Sequence, residues 1–484
     1  MNLSPQNFDL IVIGAGPAGL TGATEAQQLS KNVLVLEAES QVGGISKTVA
    51  RDGYLFDLGG HRFFTKVPRV EEFWNEVLPE ADFLVRPRKS RIFYKNKFFD
   101  YPLKPLNAFI SLGPIETVRC IISYILVRIF PPRNQDNFEG WVAARFGWRL
   151  YRIFFKTYTE KVWGIPTNQI QADWAAQRIK NLSLLKAIIN AFGYGKNSGE
   201  ITTLINSFRY PRKGPGMLWE ACAQKFVANG GVLNLDELAL KVTKDTEGYL
   251  VTSNLGVYRA KAILSTLPIS QLPKILDCAD SSVISAAGRL KHRDFLIVAL
   301  VVATEVDFDD NWIYIHSEGV KVGRIQNFGS WSPEMVLPGT ACLGLEYFVN
   351  EGDETWAMED STLITFAKQE IEKLALVEIS KITAGYVVRV PKAYPVYDSE
   401  YEKNLELIAK WTQKNHPNVI PVGRNGMHRY NNQDHSMLTA MLAIENLYKN
   451  SQHNLWAVNV EDEYHEESKQ STGRDAPIYP TLGN

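Results

Sequence analysis

Asp9–Gly22 reads DLIVIGAGPAGLTG, and the rest of the chain is arranged about it. Leu10 to Ile13 is an unbroken apolar run of the kind that a buried parallel strand shows. Glycines follow at 14, 16 and 19, in G-x-G-x-x-G spacing, with Pro17 and Ala18 between them. Gly14 allows a tight turn. Gly16 lacks the Cβ that would hold a diphosphate off the backbone, and Gly19 lets the next helix lie close to the strand. That helix would present N-terminal N–H groups and a partial positive charge to the diphosphate. A second apolar strand, Asn32–Leu36, ends in Glu37-Ala38, where a carboxylate would accept from ribose hydroxyls. Strand, glycines, helix and acid in this order predict a dinucleotide site rather than a bare glycine turn.

The chain has 484 residues, enough for more than one domain. Hydrophobic residues make up 45% and charged residues 22%, an ordinary globular composition. Lys and Arg number 52 against 53 Asp and Glu, a balance that argues against nucleic acid as a partner. The first residues, MNLSPQNFD, have neither the basic nor the apolar region of a signal peptide. Four scattered cysteines form no C-x-x-C, which argues against a disulfide framework or a zinc site and suits a reducing, cytoplasmic setting. No metal site is expected. The most apolar run, Cys120–Phe130, carries Arg128 and is too short to span a bilayer. It reads as a buried helix, with a shallow peripheral contact with lipid as the alternative.

Three further regions follow. Apolar periodicity recurs in Val70–Leu78, Ile115–Ile129, Phe138–Lys156 and Trp174–Phe192, which reads as a helical insertion broken at Arg86-Pro87 and Tyr101-Pro102. Strands of a dinucleotide domain resume near 231–265. Alternating Val, Ile, Tyr and Phe at 290–350 and 380–395 then predict an antiparallel sheet. A last strand ends at Gly423-Arg424, and a helix starts near Asp434. The predicted fold is α/β. A Rossmann-like domain (1–67, 205–285 and 410–450) is interleaved with a helical cap (68–204) and an antiparallel β-sheet substrate domain (286–409), with a loose tail at 451–484. A flavin buried against a substrate domain would produce such interleaving.

The motifs GYLFDLGGHRFF (53–64), KVWGIP (161–166), ADWAAQRI (172–179), GRIQNFGSWSP (323–333) and RYNNQDHS (429–436) resemble UDP-galactopyranose mutases. These belong to the flavoprotein superfamily that also holds amine oxidases, protoporphyrinogen oxidase and phytoene desaturases. The resemblance spans about residues 8 to 448, and Glu37 with Gly43-Gly44 is similar to that superfamily's FAD signature. A bacterial subgroup known only as NAD(P)/FAD-dependent oxidoreductases is also similar.

The resemblance implies FAD as cofactor, active when reduced, with NAD(P)H as a transient reductant. It places Gly59, Gly60 and His61 against the isoalloxazine ring. It places Arg424, Asn432, Gln433 and Ser436 at the flavin's pyrimidine edge, where a helix N-terminus would stabilise negative charge. Arg178 and Arg324 match a pair that clamps a substrate diphosphate, a task suited to the planar guanidinium fork. Tyr314, Tyr394 and Tyr430 match tyrosines that bond the same diphosphate, and Trp163 matches a wall of the sugar pocket. The implied chemistry is attack by reduced-flavin N5 on the anomeric carbon of a nucleotide- or diphosphate-linked sugar. At Tyr101-Pro102-Leu103-Lys104 the chain lacks the family's uracil-holding residues, so another nucleotide or a lipid-linked sugar is open. An FAD-dependent oxidase or desaturase of an amphipathic substrate is the competing reading.

Overall fold

Two sheets of seven strands each carry the molecule, and the chain crosses between them repeatedly. The computed structural model describes residues 5–172, 203–204, 206–459 and 467–468. The first sheet contains β1 (Gln6–Ile13), β2 (Val33–Leu36), β10 (Val232–Asn234), β11 (Ala239–Asp245), β12 (Gly248–Ser253), β13 (Val257–Ser265) and β19 (Val419–Pro421). Its order is β10-β2-β1-β13-β12-β11, with β19 also paired to β13. The pairs β10–β2–β1–β13 and β13–β19 are parallel, whereas β13–β12–β11 is an antiparallel meander. All four residues of β2 are buried, as a parallel strand covered on both faces requires. Helices α1 (Pro17–Gln28), α7 (Gly216–Ala228) and α11 (Gln433–Tyr448) cover one face, with Leu20, Trp219 and Met441 in the same core as Leu10 and Val12. Helices α8 (Ser281–Arg289) and α10 (Tyr401–Asn415) cover the other.

The second sheet has the order β18-β14-β17-β16-β15-β6-β7. Its strands are β6 (Ser90–Tyr94), β7 (Lys97–Asp100), β14 (His292–Val302), β15 (Trp312–Ile315), β16 (Arg324–Asn327), β17 (Ala341–Val349) and β18 (Ile382–Pro395). On β14 the period-2 rule sorts the core. Leu296, Val298 and Leu300 face the cluster under α9 (Asp360–Lys373), while Phe295, Ile297 and Ala299 face the hairpin β3 (Thr48–Arg51) and β4 (Tyr54–Asp57). The sheet is antiparallel except where β15 runs parallel to β6.

Three expectations are corrected. The insertion 68–204 is not all helix. After α2 (Pro68–Val77) come β5 (Phe83–Pro87), which pairs with β9 (Ser207–Pro211), and then the hairpin β6–β7, which extends the second sheet. Lys95 and Asn96 turn that hairpin with φ of 49° and 58°, the left-handed pair that matches strand twist, and alternating SRIFY is its strand signal. After the hairpin, the insertion's described helices are α3 (Pro105–Leu112), α4 (Pro114–Ile129), α5 (Phe138–Tyr151) and α6 (Thr157–Trp163). The apolar run 120–130 does form a helix, α4, but only Cys120 and Val127 of that helix are buried. The strands expected at 290–350 and 380–395 do pair antiparallel with one another, and β6 from the insertion joins them in parallel at β15. The tail is not loose from 451. Arg429 donates to the carbonyls of Trp456 and Val458, and Val458 is buried. A two-residue ladder also joins β8 (Thr203–Leu204) to β20 (Glu467–Ser468).

Candidate functional site

A cavity runs along the carboxyl edge of the first sheet and ends against the second. The glycine loop forms one end. Gly14 has φ of +100°, and a Cβ there would lie 2.1 Å from Thr266 Oγ1. A Cβ on Gly19 would lie 1.9 Å from the Gly14 carbonyl oxygen, so α1 can pack there only with glycine. Gly16 is the N-cap of α1 and makes no side-chain cap, which leaves that helix end to be satisfied by a ligand or solvent. Gly43 N donates to Ala15 O at 2.9 Å and holds the second glycine turn against the first. Glu37 accepts from Ala15 N at 2.6 Å and from Glu39 N at 3.0 Å, stapling the end of β2 to the loop. Burial raises its pKa, and lone pairs remain for further donors.

The other end is charged and aromatic. Arg324 on β16 stands directly across from Glu346 on β17, so both side chains share one face. Arg324 Nε donates to Glu346, and Nη2 donates to the Tyr394 hydroxyl at 3.0 Å. The other Glu346 oxygen accepts from Gln326 Nε2 at 2.6 Å. Tyr394 and Tyr430 stack, with centroids 5.8 Å apart and planes at 16°. The Arg424 guanidinium lies over both rings, 4.2 Å from Tyr430 and 4.9 Å from Tyr394. Its Nε and Nη2 are buried without a hydrogen-bond partner.

Between these ends, Gly59, Gly60 and His61 form one wall. His61 Nε2 donates to Leu58 O at 3.2 Å, and Nδ1 lies 3.5 Å from Ser46 Oγ. Burial, reinforced by the charges of Arg424 and Arg324, pushes the imidazole down to about 4, so it is neutral at pH 7. Helix α11 starts at the same wall. Its N-cap, Asn432, makes no side-chain cap. Gln433 Nε2 donates to Arg62 O at 3.4 Å, while Gln433 Oε1 is buried without a partner.

Of the residues expected from the sequence, Gly16, Pro17, Ala18, Gly44, Gly59, Gly60, His61, Arg324, Tyr394, Arg424, Tyr430, Asn432, Gln433 and Ser436 line the cavity. Gly14, Gly19, Glu37, Ala38 and Gly43 do not line it, and the first three and Gly43 shape the loop instead. Two further expected residues, Tyr314 and Trp163, are not among those that line this cavity. Tyr314 lies across from Arg324 on β15, but its ring joins Tyr101 at 4.8 Å and Tyr158 at 5.4 Å. Trp163 is 5% exposed in the core of the insertion. Arg178 lies outside the described residues, so the expected arginine pair is represented by Arg324 alone, which already has a carboxylate partner. Lining residues missed by the sequence reading include Ser46, Arg62, Thr266, Asn425, Asn431 and Asp434. Asn431 and Asp434 fall inside RYNNQDHS and were within reach of the motif. Thr266 has no local signal. It arrives because β13 pairs with β1 in the register Ser265–Ile13.

This lining suits a flavin. Two helix N-termini without side-chain caps face one cavity, and unsatisfied polar atoms of Arg424 and Gln433 stand beside the second.

A dinucleotide-binding Rossmann unit is locked to a mixed-sheet layer, with the cavity at their junction, a fold similar to that of the solved structure of reduced UDP-galactopyranose mutase. The comparisons agree. Residues 12–77 match the NAD(P)-binding Rossmann-like domain family. The structure of reduced UDP-galactopyranose mutase superposes with a TM-score of 0.81 at 22% identity, over 95% of this chain and 100% of that one. The chain is 21% identical to chloroplastic protoporphyrinogen oxidase of Nicotiana tabacum, over 81% of this chain and 76% of the tobacco protein. It is 39% identical to pseudooxynicotine dehydrogenase of a Pseudomonas species, over 55% of this chain and 52% of that protein.

Proposed function

We propose that the chain is an FAD enzyme of the UDP-galactopyranose mutase type, acting in the cytoplasm on a nucleotide- or diphosphate-linked sugar. The observation that carries this reading is the cavity's second end. Arg424, Arg324, Tyr394 and Tyr430 gather cations and hydroxyls, which suit a diphosphate better than a polyene or porphyrin. The glycine loop and the N-terminus of α1 would hold the FAD diphosphate, and Glu37 its ribose. The GGH wall and the N-terminus of α11 would hold the flavin ring. When bound and reduced, the flavin supplies a nucleophilic nitrogen, and NAD(P)H is the transient reductant. The protein's own part is positioning. Arg424 neutralises phosphate charge, Tyr394 and Tyr430 orient it, and neutral His61 keeps a third cation away from the ring. Arg178 completes the clamp in this reading.

Likeness to the tobacco oxidase favours a second reading, net oxidation of an amphipathic substrate by bound flavin. One assay separates the two. Purified enzyme is incubated with sugar nucleotides, with its flavin reduced or oxidised, and the products are resolved by chromatography. Ring isomerisation only with reduced flavin is the expected result. Bleaching of oxidised flavin by a porphyrinogen or polyene, with no isomerisation, overturns it.

A further inference from the structure

The helical insertion carries a surface that the cavity does not explain. On α4 the outward side is apolar along the whole helix. Ile115, Val118, Ile121, Ile122, Ile125, Leu126 and Ile129 are 40–71% exposed, and Phe130 just beyond is 72% exposed. At 100° per residue these positions fill one half of the helix circumference, with Arg119 and Arg128 at its borders. The inward side is packed, since Cys120 and Val127 are buried. Ile110, on the neighbouring α3, extends the same surface at 71% exposed. Among the described residues nothing covers it. Contiguous apolar surface of this extent marks an interaction site.

Charge identifies the occupant. Residues 95–156 hold ten Lys and Arg against four Asp and Glu, a net of +6 in a chain whose total is −1. Two copies meeting face to face would bring like charges together, whereas an anionic leaflet would be attracted. Helix α4 has 16 residues, about 24 Å of rise, too short for a hydrocarbon core of about 30 Å. Among the described residues no helix is long and apolar enough to cross a membrane. We propose that the α3–α4 face lies flat on an anionic lipid bilayer, with the isoleucines in the acyl boundary and the arginines at the headgroups. The inner side of α4 shares its core with Tyr101 and Tyr314, and Tyr314 stands across from Arg324 of the cavity. The inference does not rest on the flavin reading.

The test is co-sedimentation of the full chain with vesicles of phosphatidylcholine, alone or mixed with phosphatidylglycerol. Binding is expected, stronger to the anionic vesicles and weakened by salt. Ile122→Glu with Ile129→Glu should lower the partition coefficient tenfold or more, and Arg128→Gln with Arg133→Gln roughly tenfold on anionic vesicles alone. All four positions are exposed, so both double variants should melt at the parent temperature. Absence of binding to either vesicle overturns the proposal, as does binding that the glutamate pair leaves intact. A dimer dissolved by the glutamate pair, with no vesicle binding, assigns the face to a second copy and overturns it too.

Discussion

The two ends of the cavity are built by opposite means. At the glycine end the binding surface is mostly backbone: Gly16, Gly44 and the first turn of α1, with Glu37 stapling the loop. At the other end it is side chain: Arg324 with its buried carboxylate, Arg424 with two buried nitrogens that lack a hydrogen bond, two stacked tyrosines and a neutral histidine. A backbone site depends on shape and tolerates no added volume. A side-chain site depends on charge balance, so single atoms can be removed from it while the fold survives. The two ends should therefore fail differently, and four substitutions or titrations separate them.

The largest effect is expected at the glycine end. Gly19→Val would place a Cβ 1.9 Å from the Gly14 carbonyl oxygen, a backbone atom that cannot turn aside. Loss of about 3 kcal/mol or more of stability is expected, by melting or urea titration, together with loss of bound flavin. A variant that melts like the parent would break the view of this end as a shape-limited site.

This contrast also explains what the sequence could tell. The glycine end is contiguous, from Asp9 to Gly44, and each of its parts has a local chemical reason. Strand β1, the turn, α1 and β2 were all legible. At the charged end, α11 and RYNNQDHS were legible because they too are contiguous. The pairing of Arg324 with Glu346 was not, since it depends on the register of β16 against β17 across 22 residues. Thr266 was invisible for the same reason. Tyr314 and Trp163 belong to motifs, but their rings pack among aromatic neighbours that come from distant parts of the chain, such as Tyr158 and Tyr397, which no local pattern announces. The hairpin β6–β7 was overlooked beside stronger helical periodicity, although Lys95-Asn96 marks its turn.

The second test is acid. His61, His292, His316, His428 and His435 are pushed down by burial, to about 4, 3, 3, 4 and 3. Each binds its proton less readily folded than unfolded. Between about pH 4 and 6.5 the unfolded state therefore holds more protons, and stability falls as pH drops. His61 belongs to the cavity wall and His435 to the first turn of α11, and His428 lies just before α11 with its ring edge-on to His292 at 4.8 Å. Asp57, raised by burial to about 7, acts with the opposite sign, because its contribution is full near pH 4 and is lost as pH rises to 7. Melting temperatures should thus decline steeply below pH 6.5, and Asp57→Asn should steepen the decline. His61→Gln should make it shallower by about one proton. A flat profile would break the picture of a neutral histidine wall.

Third is Arg424. Its Nε and Nη2 lack partners in a buried site, so the apoprotein bears a desolvation cost that a ligand would relieve. Arg424→Met should leave the apoprotein's melting temperature unchanged or raise it, while weakening flavin or diphosphate binding roughly tenfold to a hundredfold. Fluorescence titration of the stripped protein measures the second quantity. A fall in both would mean that Arg424 serves the fold, and the charged end would then resemble the glycine end.

The smallest effect separates geometry from charge within the charged end itself. The Tyr394 hydroxyl accepts one hydrogen bond from Arg324 Nη2 at 3.0 Å, and its ring stacks on Tyr430 beneath Arg424. Tyr394→Phe deletes the acceptor and keeps the ring. Arg324 retains its pairing with Glu346, so the loss should be that of one hydrogen bond to a charged group, about 1.5–3 kcal/mol at most, and less if water enters. Apoprotein melting should drop by a few degrees, with the acid profile and Arg424's binding role unaltered. If Tyr394→Phe instead matches the binding loss of Arg424→Met, the hydroxyl itself touches the ligand. The tyrosine would then be a binding group in its own right, not only a rest for two guanidinium groups.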